Sequence, residues 1–185
     1  SDSLGFPNGS SITITVLIRP NVITSKVILS KGHTAGVGQV NYQLSLNEGN
    51  VVFAFRDSND ANWSTYQTMG MPIASGSMYH IAFTFTFGTA SSAAMFINGD
   101  LATGVWALGD GNAAPFVTTD PLWIGAQKPP TSTGPEYVSN GFIDDVRIYN
   151  RAVSAAEIAR IASSYFRVGH WPFREQGGMT ATDVS

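Results

Sequence analysis

The 185-residue chain contains no cysteine, so neither a disulfide framework nor a thiolate metal site is available to it. It is also short of charge. Only 12% of its residues are Asp, Glu, Lys or Arg, against about a quarter in an average domain. Ten basic residues are scattered along a chain of net charge −3, which excludes the clustered Lys and Arg that neutralise phosphates, so no nucleic-acid partner is expected. No apolar run approaches the ~20 residues that span a bilayer, so membrane insertion is not expected either. The opening Ser1-Asp2-Ser3-Leu4-Gly5-Phe6 has neither a basic nor an apolar leader region, as expected of a mature piece or an excised fragment if the parent is secreted.

Glutamate is scarce. Glu48, Glu136, Glu157 and Glu175 stand without a second carboxylate two residues away, and glycoside hydrolysis takes a pair. His33, His80 and His170 are far apart and lack helical metal-ligand spacing. No nucleophile elbow, P-loop or dinucleotide fingerprint is present. These absences together argue that the chain is not an enzyme.

What the chain has in quantity is turn chemistry, with 19 Gly and many Ser, Thr and Asn separating short stretches of alternating apolar and polar residues. Strands are expected over 11–19, 26–31, 40–46, 51–56, 78–87, 93–97, 101–106, 122–125 and 141–149. Asn98-Gly99 is a hairpin signal, because a two-residue turn of this kind needs positive φ at both positions. Within 78–87 the residues Tyr79, Ile81, Phe83, Phe85 and Phe87 share one face, and His80, Ala82, Thr84 and Thr86 the other. Ser154 with Glu157 three residues later forms a capping box, so a helix is expected over 154–165, burying Ile158, Ile161 and Ala162. Many short strands and one late helix point to an all-β fold: a two-sheet antiparallel jelly-roll sandwich with one short C-terminal helix.

The loop Asp57-Ser58-Asn59-Asp60-Ala61-Asn62 followed by Trp63 mixes carboxylates, amides and an aromatic ring. Sugar recognition uses this combination, with planar polar groups for hydroxyls and an aromatic face for the apolar side of the ring. Asp57, Asn59, Asp60, Asn62 and Trp63 are therefore the candidate ligand-binding residues. The competing reading is a polar hairpin whose Asx residues satisfy their own turns, with Trp63 at a core edge. Trp106, Trp123 and Tyr137 are further aromatics, of which Trp123 is expected in the core.

Several of these stretches resemble the laminin-G-like, concanavalin A-like jelly-roll domains of bacterial and viral surface proteins. Ser11-Ile12-Thr13-Ile14-Thr15-Val16-Leu17-Ile18-Arg19-Pro20 is similar to the family's first core strand, although Leu17 stands where the family often has Trp. Tyr79-His80-Ile81-Ala82 and Phe96-Ile97-Asn98-Gly99-Asp100-Leu101 resemble its central hairpin, and Leu122-Trp123-Ile124-Gly125 its penultimate strand. The run 141–158 resembles its closing strand and helix most specifically. The resemblance implies a domain over 1–166 that serves as a non-catalytic binding module for a glycan or surface protein, within a larger extracellular, cell-surface or virion-surface protein.

It also implies a metal. Related jelly rolls bind structural Ca²⁺ through an Asp of the closing strand, and regular alternation puts Asp144 inward with Val146 and Ile148. Backbone carbonyls such as those of Lys31-Gly32 would complete the shell. The alternative is that Asp144 accepts backbone N–H groups or pairs with an Arg, and Asp145 is read as surface charge. The family's usual opening strand is missing at the N-terminus, while Gly169-His170-Trp171-Pro172-Phe173 resembles it. Residues 167–185 are thus read as an extra edge strand and tail, from a cut tandem array or a circular permutation. Such a strand fills its own domain's edge or a neighbour's, which gives the alternative of a structural module that self-associates through 167–185.

Overall fold

A computed structural model describes residues 4–34, 38–59, 62–70, 73–128 and 134–166. The first strand, β1 (Ser11–Pro20), lies one in from the edge of a five-stranded sheet. It pairs antiparallel with β6 (Tyr79–Thr86) on one side and β11 (Gly141–Tyr149) on the other, and β7 (Thr89–Ile97) and β8 (Asp100–Ala102) extend the sheet beyond β6. The second sheet has six strands in the order β10 (Leu122–Ile124), β2 (Lys26–His33), β3 (Gln39–Asn47), β4 (Asn50–Arg56), β5 (Trp63–Thr68) and β9 (Gly104–Leu108). The two antiparallel sheets form the jelly-roll sandwich that the alternation implied.

Side chains of one parity from each sheet fill the space between them. Ile12, Ile14, Val16, Ile18, Ile81, Phe83 and Phe85 meet Tyr42, Leu44, Leu46, Val51, Phe53 and Phe55 in one continuous core. Phe53 and Phe83 stack across the two sheets at 4.2 Å and 25°. Offset ring pairs of this kind contribute about 0.5–1.5 kcal/mol beyond area burial. Trp106 joins the cluster edge-on to Phe55 and donates its indole N–H to the Ala90 carbonyl at 3.3 Å. Trp123, expected in the core, is half-buried and lies outside that cluster. It is the central residue of the three-residue edge strand β10, and the alternation there gives the inward position to Leu122.

The Asn98-Gly99 hairpin forms as its chemistry demands, with φ of 54° and 92°. Two expectations about strands change. Residues 63–68 form β5, whose hydroxyl-rich Trp-Ser-Thr-Tyr-Gln-Thr pattern offers few apolar markers. The single strand expected over 101–106 is two, β8 and β9, and they belong to different sheets. The chain crosses at Gly104, where a Cβ would lie 2.5 Å from the Tyr66 ring, so only glycine fits without displacing the ring.

The helix α1 (Ala155–Phe166) starts where the capping residues place it. Ser154 Oγ accepts the Glu157 N–H at 3.3 Å, while the Glu157 carboxylate is held by both terminal nitrogens of Arg151 at 2.7 and 3.0 Å. Ile158 and Ala162 are fully buried, and Ile158 packs on Ala82, Phe96 and Val153. The helix therefore roofs the outer face of the five-stranded sheet. Buried Thr13 fastens its lead-in, donating to the Arg151 carbonyl at 2.8 Å and accepting the Val153 N–H at 3.0 Å.

Candidate functional site

On the outer face of the six-stranded sheet no helix intervenes among the described residues, and a groove of about 780 Å³ runs across it. Strand parity dictates its floor. Because Tyr42, Leu44 and Leu46 of β3 face the core, Gln43, Ser45 and Asn47 face out; by the same rule β4 presents Val52, Ala54 and Arg56. On β5 the outward positions are Trp63, Thr65 and Gln67. The register aligns these into rows: Ser45 beside Val52 and Gln67, Gln43 beside Ala54 and Thr65, and Arg56 directly opposite Trp63. The Arg56 guanidinium carbon sits 4.3 Å from the centroid of the Trp63 ring. Burial lowers the pKa of Arg56 from its ordinary value.

The rim comes from the loop after β10. Gln127 and Glu136 bridge through their backbones at 3.1 and 3.2 Å. Gln127 also meets the Gln43 amide at 3.3 Å and the Glu136 carboxylate at 3.4 Å. Tyr137, in the left-handed region at φ 49°, leaves its ring exposed at the groove. The surface thus mixes amides, hydroxyls and the Trp63 and Tyr137 rings with apolar Val52, Ala54 and Leu108, and Lys26 and Arg56 are its cations and Glu136 its carboxylate among the described lining residues.

Of the residues expected to bind a ligand, Trp63 lines this groove. Asp57 caps its own turn, accepting the Asn59 N–H at 2.8 Å, and its N–H donates to the Asn62 carbonyl at 2.9 Å. The hairpin end is further tied down by Ser58 donating to Ala114 and Phe116 to Arg56. Asn59 and Asn62 are exposed there, away from the groove lining, and Asp60 lies outside the described residues. Arg56, Gln43, Gln67 and the rim were missed. The signal for the floor was available, since the apolar parity of β3 and β4 names its outward residues.

Asp144 does not turn inward. Thr15 pairs with Arg147 and Leu17 with Asp144, so Val16 is opposed by both Asp145 and Val146 in a β-bulge. Asp145 takes φ 44° there, a left-handed conformation that Asp tolerates better than most residues. The extra residue inverts the parity on either side. Ile143, Val146 and Ile148 pack on the core and Asp144 is exposed, its carboxylate accepting the Asp145 N–H at 2.7 Å. Lys31 and Gly32 belong to the other sheet. One outward carboxylate does not fit a calcium shell of about six to eight oxygens. Among the described residues no three His, Cys, Asp or Glu side chains converge.

Asp145 has a structural task instead. It holds Arg147 through two bonds of 2.8 and 2.5 Å and accepts the Tyr165 hydroxyl of α1. Below Tyr165, stacked at 5.5 Å, lies the fully buried His80. Burial, and then the Arg147 charge, push its pKa down to about 4 against the opposing pull of Asp145. A second polar cluster closes on itself at β2. Asp120 takes Lys128 at 2.7 Å, Thr118 at 3.1 Å and the His33 ring, while buried Lys31 donates to the Thr118 and Asp120 carbonyls. Burial alone would raise the Asp120 carboxyl, but these bonds from Lys128, His33 and Thr118 outweigh it and hold it at about 2.

A sandwich with one outer face roofed and the other grooved is the architecture of a jelly roll built to leave one sheet open. The chain belongs to the concanavalin A-like lectin/glucanases superfamily, whose laminin-G-like family model matches residues 1–159. A comparison with curated protein sequences found no match. Among solved structures, the binding domain of Paraclostridial Mosquitocidal Protein 1 superposes with a TM-score of 0.64 at 20% identity, over 92% of this chain and 41% of that one. The binding domain of botulinum neurotoxin serotype G gives 0.59 at 15% identity, over 89% and 39%. The Ruminococcus gnavus IT-sialidase CBM40 bound to α2,3 sialyllactose gives 0.64 at 17% identity, over 84% of both chains. The chain thus spans about two fifths of the toxin domains it matches.

Proposed function

We propose that this chain is a non-catalytic binding module that recognises a glycan on the outer face of its six-stranded sheet, as part of a larger extracellular or surface protein. The observation that carries this reading is the groove itself, about 780 Å³ lined by amides, hydroxyls, aromatic rings and small apolar side chains, its floor in register across β3, β4 and β5. The fold likeness to a sialidase's CBM40 and to toxin binding domains supports a binding role. Glu136 is the groove's carboxylate among the described lining residues, and glycoside hydrolysis takes two. No helix among the described residues is long and apolar enough to cross a membrane. The assembly reading turns on residues 167–185, which lie outside the described residues.

A glycan array tests the proposal. The wild-type protein is expected to bind a subset of sugars, and Thr65→Trp, which fills the middle of the floor, is expected to abolish that binding while melting normally. Binding that survives Thr65→Trp would move the site off this face.

A further inference from the structure

The two aromatic rings among the described lining residues are not equivalent. Trp63 is half-buried on the floor, and the Arg56 guanidinium carbon at 4.3 Å from its centroid already covers one of its faces. Tyr137 stands on the rim with 53% of its surface exposed and takes no part in the core. Its φ of 49° puts a bulky residue in the left-handed region, a conformation that persists only where the surroundings impose it. Here they do. The Tyr137 carbonyl accepts the Val27 N–H at 2.9 Å, Gln127 and Glu136 exchange backbone bonds just before it, and Ser139 donates to the Gly125 carbonyl at 2.7 Å just after. The rim side chains are fixed as well. A carboxylate only accepts, so Glu136 draws Gln127 Nε2 to 3.4 Å, which leaves Gln127 Oε1 to accept from Gln43 Nε2 at 3.3 Å. Strain maintained beneath an exposed ring, at the lip of a groove, points to a role for that ring outside folding.

Strand register shows what lies beside it. Val27 pairs with Ser45, Ser45 with Val52 and Val52 with Gln67, and all four line the groove. The row starts at the bond between Val27 and Tyr137 and crosses four strands at about 4.8 Å each. It carries a hydroxyl and an amide, groups that both donate and accept as sugar hydroxyls do. We infer that Tyr137 is the stacking platform for a β-linked glucose- or galactose-type pyranose, with Ser45 and Gln67 receiving hydroxyls along the row. In such a β-glycoside the axial C–H bonds share one apolar face, which suits an aromatic ring. In the α-anomer an axial glycosidic oxygen sits on that face and lifts the sugar from the ring. The inference deepens the groove reading and rests on it.

Saturation-transfer NMR titration of the intact chain tests it, with the methyl β- and α-glycosides of glucose and galactose as probes. The β-glycosides are expected to bind about three- to tenfold more tightly than the α, the worth of one ring contact, with saturation strongest on the axial protons of one face. Tyr137→Phe is expected to keep the affinity, and Tyr137→Leu, apolar but without a ring, to lower it by the same factor. Tyr137→Gly separates binding from folding. It relieves the left-handed strain, so the melting temperature is expected to hold or rise while binding falls. A lowered melting temperature for Tyr137→Gly would make the ring a structural support and overturn the assignment. Binding kept by Tyr137→Leu, or equal affinity for the two anomers, overturns the platform and leaves the groove reading to Thr65→Trp. Silence for all four glycosides overturns the inference for these sugars, and only silence across a broad array overturns the groove reading. The anomer comparison uses the unaltered protein, so it decides even where a variant fails to fold.

Discussion

The two outer faces of this sandwich start from the same rule and end differently. On both sheets one parity of side chains builds the shared core. On the five-stranded sheet the other parity contributes His80, Ala82 and Phe96, which α1 covers, so this face is a second, smaller core. On the six-stranded sheet the outward parity is Gln, Ser, Asn, Thr and Arg around Val52 and Ala54, and a groove remains. Apolar outward residues recruit a roof because leaving them wet is costly; polar ones need none. The comparison separates the residues that hold the fold from those left open on the groove face.

The roofed face should break first. Ile158→Ala removes a fully buried side chain beneath α1 and is expected to cost about 2–4 kcal/mol in urea unfolding. A loss below about 0.5 kcal/mol would mean that the helix is ornamental.

Acid should sharpen the same contrast. The folded-state pKa of His80 is depressed from 6.5 to about 4, so its contribution to stability is fully present above pH 6.5 and is lost as pH falls toward 4. Over that window the loss attributable to His80 is expected to be on the order of 2–3 kcal/mol. His80→Phe should flatten the stability profile between pH 6.5 and 4. An unchanged slope would show that the ring protonates without disturbing the helix.

On the groove face, Gln67→Ala and Ser45→Ala should change stability by no more than about 0.5 kcal/mol while weakening glycan binding, as read by melting and by the array in parallel. Stability losses like that of Ile158→Ala would erase the distinction between the faces. The smallest expected effect is that of calcium at Asp144, which stands as a proposal that the exposed side chain does little to support. Adding Ca²⁺ to EDTA-stripped protein should leave the melting temperature in place. A rise that Asp144→Ala abolishes would reinstate the metal.

How much of this was legible in the sequence depended on whether a feature was local. The core strands, the Asn98-Gly99 turn and the Ser154 cap follow from residues a few positions apart, and they stand where the pattern puts them. β5 escaped notice because Tyr66 is its only large apolar inward residue among hydroxyls. The crossover at Gly104 escaped because the need for glycine comes from the Tyr66 ring, thirty-eight positions away by number. The groove is non-local in the same way. Arg56 and Trp63 meet across a strand pair, and the rim arrives from Gln127, Glu136 and Tyr137. The polar loop that drew attention, with Asp57 and Asn59, is polar because it turns.

The bulge at Asp145 has one more consequence. A strand's alternation works like a reading frame with a period of two, and Asp145 is a single-residue insertion inside it. The residues before it are written in one phase and those after it in the other, so Ile143 and Ile148, five positions apart, both read as interior. Deleting Asp145 would restore an unbroken period, with Ile143, Val146 and Ile148 still inward and Val16 opposed by Val146 alone. The Tyr165 hydroxyl that it anchors would be lost in the same stroke. A residue that looks like surplus charge is thus dispensable to the phase of the strand and matters for what it ties down, Arg147 and the helix at Tyr165.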